Sequence, residues 1–192
     1  MSETKIPDPV QPYAYAESEV LIFTTSEAAQ KPRAVNLTIS PYRLLSSNPL
    51  AGVKRTAMLE NLLAFDEARN RNFEEAVMLN ERGEIVSATA ANIFWVEGNE
   101  LCTPSLGTGC IAGITRAFVL EIARRINIHA VEASFPLQRL LDANEVFLTS
   151  TTRGITSVKS YDFKAYDDKF ASITRNIAHQ FKKLTGDAKM IF

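Results

Sequence analysis

The run GTGCIAGITR (107–116) is a glycine-punctuated loop leading into a helix that carries Thr115 in its first turn. Free backbone N–H groups and the positive end of the helix dipole make such a turn a place for an anion, and a threonine hydroxyl adds a donor. Two familiar phosphate motifs do not fit. A Walker A loop needs a lysine just before its Ser/Thr, and residue 114 is isoleucine; a dinucleotide fingerprint spaces its glycines G-x-G-x-x-G after a strand, whereas here they are Gly107, Gly109 and Gly113. On the residues alone, a loop with an ordinary N-terminal helix cap is the plainer account. STTRG (150–154) gathers hydroxyls where a strand ends, and by itself reads as a polar hairpin turn. Lys54 stands between a loop and the start of an apolar helix, a partly buried setting that suits an amine nucleophile, although a surface lysine is the commoner case. Asn92 reads as a strand-start residue and Trp95 as core.

The elements that must position these residues are short and mixed. VLIFTT (20–25) and AVNLTIS (34–40) read as strands, and SSNPLAG (46–52) as a linker. From Lys54 to Ala68, Met58, Leu59, Leu62, Leu63 and Phe65 recur near the helical period, which predicts a helix with that stripe inward. AVMLN (76–80) and GEIVSA (83–88) flank a turn as one hairpin; NIFWVE (92–97) and ELCT (100–103) flank Gly98-Asn99 as another. ITRAFVLEIARRI (114–126) predicts an amphipathic helix with Ile114, Phe118, Val119, Ile122 and Ile126 on one stripe, and PLQRLLDAN (136–144) a shorter one. The segment between them carries no assignment. EVFLTS (145–150) and ITSVKSYD (155–162) read as strands around a turn, and a last helix is expected over 170–184. Without strict βαβ alternation this is an α+β fold, a mostly antiparallel sheet or partial barrel with packed helices.

Composition sets outer bounds. The chain has 192 residues, 46% hydrophobic and 22% charged, which suits one full-sized domain with room for part of a second. A net charge of −1 offers no footprint for nucleic acid or an anionic membrane. The first 20 residues have neither a basic nor an apolar region of a signal peptide, and no apolar run approaches the roughly 18 residues of a membrane span. Cys102 and Cys110 are the only cysteines, without CxxC spacing or neighbouring histidines; the expectation is reduced thiols, a cytoplasmic protein and no metal.

Taken together the motifs resemble a known family. LAGVKRTAMLENLLAFDEAR (50–69), EEAVMLNERGEIVSATAANIFWVEGNELCTPSL (74–106), GCIAGITR (109–116) and ANEVFLTSTTRGITSV (143–158) match, in order, the segments that mark class IV (fold-type IV) pyridoxal-phosphate enzymes. The likeness covers about residues 36–160, and PLAG just before the lysine is especially like 4-amino-4-deoxychorismate lyases; D-amino-acid and branched-chain aminotransferases share the remaining motifs.

The resemblance implies a lyase or aminotransferase that uses pyridoxal 5′-phosphate on an amino acid or aminochorismate and works as a homodimer in the cytoplasm. Lys54 would be its catalytic Schiff-base lysine. Ile114 and Thr115 would hold the phosphate, completed by Thr151 and the amide of Thr152. Ser87 would meet the pyridine nitrogen where the family usually has glutamate, and a hydroxyl offers only one neutral hydrogen bond there. Ala57 and Met58 stand where Asn and Tyr are common. In domain terms, residues 1–45 are expected to be a flexible lead-in with the remnant of an N-terminal domain, and residues 46–192 the cofactor-binding domain. An alternative reading is a truncated, impaired homologue that folds or dimerises without turnover; a nucleotide-binding module built on GTGCIAGITR lacks the P-loop lysine.

Overall fold

The runs AVML (76–79), IFWV (93–96) and VFL (146–148) are continuously apolar, and strands built on such runs are buried on both faces. The computed structural model describes residues 34–167 and 171–186. The strand expected at 20–25 lies outside them. The described residues fall in one compact unit, Lys31–Phe192. Its strands are β1 (Val35–Leu44), β2 (Glu75–Asn80), β3 (Ile85–Ala88), β4 (Asn92–Glu97), β5 (Glu100–Pro104), β6 (His129–Ala133), β7 (Glu145–Ser150), β8 (Gly154–Tyr161) and β9 (Lys164–Ala165). They form one curled sheet, a half-barrel ordered β3-β2-β1-β8-β7-β4-β5-β6, with β9 paired to β8. The sheet is mixed. β1 runs parallel to both β2 and β8, and β5 parallel to β6, while the hairpins and the β4–β7 and β7–β8 pairs are antiparallel. β1, which the sequence put with the lead-in, is hydrogen-bonded along both edges inside this sheet.

Strand β6 carried no assignment in the sequence because HAVEA is short and has no fully buried position. It forms as the parallel partner of β5 through the helix α2 (Ile114–Arg125), the crossover that a parallel pair requires. On the inner side of the half-barrel Trp95 packs edge-on against Phe135 at 4.8 Å, among Leu37, Val77, Ile93, Leu148 and Val158. On the outer side Phe94 and Phe147 stack at 5.1 Å beneath Val119 and Ile122 of α2 and Ile177 of the last helix, α4 (Ser172–Gly186). Each such side chain contributes roughly 1.5–3 kcal/mol by burial, so this layer fixes where α2 starts. The helix α3 (Gln138–Asp142) closes the inner core through Leu140.

Helix α1 (Leu59–Asn70) departs from expectation in two ways. It begins at Leu59, so Lys54 lies on the loop before it, exposed rather than partly buried at a helix start. Its buried residues are Asn61, Ala64 and Ala68, while Leu59, Leu62 and Leu63 of the predicted inward stripe are exposed. Small side chains at this spacing let the helix lie close on β1 and β2, and they win the inner face from the bulkier leucines. In α2, likewise, Val119, Ile122 and Ala123 are buried, but Ile114 is 69% exposed and Phe118 44%.

The last helix is tied to the sheet by a carboxylate. Glu145, buried at the start of β7, accepts the Ile173 N–H at 3.1 Å and the Thr174 N–H at 2.7 Å, two donors that the first turn of α4 cannot satisfy internally. Glu145→Ala is expected to lower unfolding free energy by about 1.5–3 kcal/mol, the scale of hydrogen bonds to a charged group. Urea denaturation that gives the parent's midpoint would contradict this anchoring.

Candidate functional site

The strand ends and the loops around α1 and α2 converge on a cleft of about 680 Å³. One wall is the segment from Leu44 to Met58, which follows β1 and carries Lys54 into the lining. Ser87 to Asn92, the turn between β3 and β4, forms the floor with Thr149, Ser150 and Thr151 at the end of β7. The start of α2 closes the other side through Gly113, Ile114 and Thr115. Of the residues singled out from sequence, Lys54, Ser87, Ile114, Thr115 and Thr151 line this one cleft; Thr152, exposed in the turn beyond Thr151, does not.

The walls are held by polar contacts. Ser46 donates both its N–H (2.8 Å) and its hydroxyl (2.7 Å) to Glu81 in the β2–β3 turn. Those donors hold the Glu81 carboxyl down to about 2, well below the usual carboxylate range. Gly109 has φ +95°, and a Cβ there would stand 3.3 Å from Ser46 Cα, so the glycine-rich loop presses its backbone against this wall where only glycine fits. Under the floor, Glu75 on β2 is fully buried and accepts from the N–H and hydroxyl of Thr89 and from the Arg153 guanidinium. This carboxylate ties the β3–β4 turn and the β7–β8 turn to one strand. Asn61 of α1 adds a hydrogen bond to the Thr89 carbonyl at 2.9 Å.

At the start of α2 the donors outnumber the acceptors. The N–H groups of the first turn have no intrahelical partner, and the cap residue Gly113 has no side chain to fold back onto them. Arg116 points away from the cleft, donating to the Pro104 carbonyl at 2.9 Å and pairing with Glu132, and so braces the helix to β5 and β6. The Thr149 hydroxyl is buried in the floor with no hydrogen-bond partner. Free amides, an orphaned hydroxyl and the hydroxyls of Thr115 and Thr151 around one space fit a doubly charged oxyanion such as a phosphate monoester.

Sequence reasoning missed Glu75, Thr149 and Arg153; Asn92, read as a strand start, does open β4, but its contact with the loop before α2 was not foreseen. The one available signal was a glutamate opening the otherwise apolar run AVML of β2. Burial pushes both thiols up, Cys102 to about 11, and neither is bonded to the other. Among the described residues no helix is long and apolar enough to cross a membrane, and no cluster of His, Cys, Asp and Glu could hold a metal.

Comparison with known proteins bears on this cleft. Residues 5–161 match the profile of the amino-transferase class IV family. The aminodeoxychorismate lyase of Vibrio harveyi is 34% identical over 136 residues, 71% of this chain and 50% of that protein. The branched-chain aminotransferase of the thermophilic archaeon Thermoproteus uzoniensis, solved with norvaline, superposes with a TM-score of 0.79 at 30% identity, over 85% of this chain and 55% of that one. The branched-chain aminotransferase of Thermobaculum terrenum in its PLP form shares the fold, with a TM-score of 0.74 at 24% identity, over 80% of this chain and 51% of that one. The chain spans about half the length of these relatives.

Proposed function

This chain belongs to the class IV amino-transferase family, and on that premise we propose that it is a pyridoxal-phosphate lyase or aminotransferase acting on an amino acid or aminochorismate through Lys54. The family uses pyridoxal 5′-phosphate. The observation that carries the proposal is that Lys54 lines the same cleft as the unpartnered donors at the start of α2 and the orphaned Thr149 hydroxyl. When bound, the cofactor supplies the electron sink for a carbanion beside the substrate nitrogen.

The protein's part follows from its own groups. The amides of Ile114 and Thr115 and the hydroxyls of Thr115 and Thr151 would hold the phosphate, and Thr152, outside the cleft lining, takes no part in this reading. Lys54 Nζ would hold the cofactor covalently, and its amine would move the proton of the substrate α-carbon. Ser87, which lines the cleft, would offer the pyridine nitrogen one neutral hydrogen bond. That is weaker than the charge-assisted bond of a carboxylate and supports elimination, the lyase reaction, over transamination. Two buried, unbonded cysteines suit a reducing compartment, and we place the protein in the cytoplasm.

Leu45, Leu50, Val53, Leu59, Leu62 and Ile114 line the cleft, each at least 49% exposed. Apolar surface gathered at a site that must exclude water supports a homodimer in which a second copy covers it. Sedimentation should give a dimer at micromolar concentration, and a clean monomer would count against that arrangement.

Borohydride reduction of the cofactor-loaded chain is expected to leave the pyridoxyl group on Lys54. Peptide mapping that finds it on another lysine, or on none, would remove the central assignment. Lys54→Ala should abolish labelling while changing stability by less than about 0.5 kcal/mol, as at other exposed positions.

A further inference from the structure

We infer that Asn92 is a positioning residue that holds the first turn of α2 open for an anion, and that Gly113 is glycine to make room for it. This rests on the proposed phosphate site at that turn. Asn92 opens β4 and is buried, and its Nδ2 donates to the Ile111 carbonyl at 2.8 Å. Its Oδ1 lies against Gly113 so closely that a Cβ built on that glycine would stand 2.1 Å away, a separation no real side chain tolerates. One carboxamide therefore bonds the loop before Ala112 and packs against it after.

Gly113 has φ −67° and ψ 141°, a conformation open to any residue, so space and not backbone strain demands glycine here. The consequence is chemical. Ser, Thr, Asp or Asn at a cap position would turn its own oxygen onto the N–H groups of the first turn and satisfy them. By excluding any side chain from the cap, Asn92 keeps those donors free for a ligand. The sheet register supports the same reading. Asn92 is directly opposite Thr149 across the β4–β7 pair, and directly paired residues share a face of the sheet. Thr149 is 1% exposed and its hydroxyl has no partner, so the polar surface beneath this turn is incomplete without a ligand.

The test is equilibrium binding of pyridoxal phosphate and of phosphate-free pyridoxal to the cofactor-stripped full chain, with thermal unfolding as a check on folding. Asn92→Ala should weaken the phosphate form about tenfold, a loss on the scale of one hydrogen bond to a charged group, and barely move pyridoxal. Gly113→Ala, which leaves Asn92 in place, should do the same. Added to Asn92→Ala it should cost little more, because the clash it creates is already gone. Loss of both ligands in parallel, or strict additivity of the two substitutions, would overturn the inference by reducing Asn92 to a general fold residue. Thr115→Ala separates the two levels. If it lowers the phosphate-to-pyridoxal preference and Asn92→Ala does not, the site stands and the role of Asn92 falls; if neither changes the preference, the site assignment falls as well.

Discussion

The arrangement of the cleft depends on where the first turn of α2 meets the sheet. A helix start carries donors that nothing in the helix can satisfy, and in most helices a polar side chain or water takes them. Here the turn is pressed onto β4 by Asn92, braced behind by Arg116 on β5 and β6, and followed at once by Val119 and Ile122 packing on Phe94 and Phe147. The apolar layer sets the height of the helix, and the two polar side chains set its end. Its unsatisfied donors are therefore held in place beside β7 before any ligand arrives, which is the preorganisation that tight anion binding requires.

The second requirement is that the loops around this turn keep their places. Two carboxylates do much of that. Glu75, buried on β2, gathers the turns before β4 and after β7, and Glu81, exposed, gathers the wall that carries Lys54. The buried pair is the more consequential, since removing Arg153 would leave a charge in the protein interior with only neutral donors. Exposed pairs such as Glu121 with Arg124 and Arg125 contribute little by comparison.

Most of the fold was legible in the chain because its hairpins are local: 76–88 and 92–103 carry alternating or apolar runs around clear turn residues. The lines that failed are those decided by distant partners. Leu59, Leu62 and Leu63 have the right spacing for an inward stripe, but the sheet accepts Asn61, Ala64 and Ala68 because they allow a closer approach. HAVEA becomes a strand only because α2 delivers it beside β5. In the site, the residues with recognisable motifs, Lys54, Ser87, Ile114, Thr115 and Thr151, were nameable from sequence. Thr149 and the contact of Asn92 with Gly113 were not, since the first depends on pairing β4 with β7 across 50-odd residues of chain and the second on where the loop before α2 meets β4.

The measurement that bears most directly on this account is a crystal structure of the protein grown with pyridoxal 5′-phosphate. The account predicts the phosphate on the amides of Ile114 and Thr115, within reach of the Thr115 and Thr151 hydroxyls, and density continuous from the cofactor to Lys54. A cofactor bound elsewhere, or a phosphate turned away from the start of α2, would contradict it.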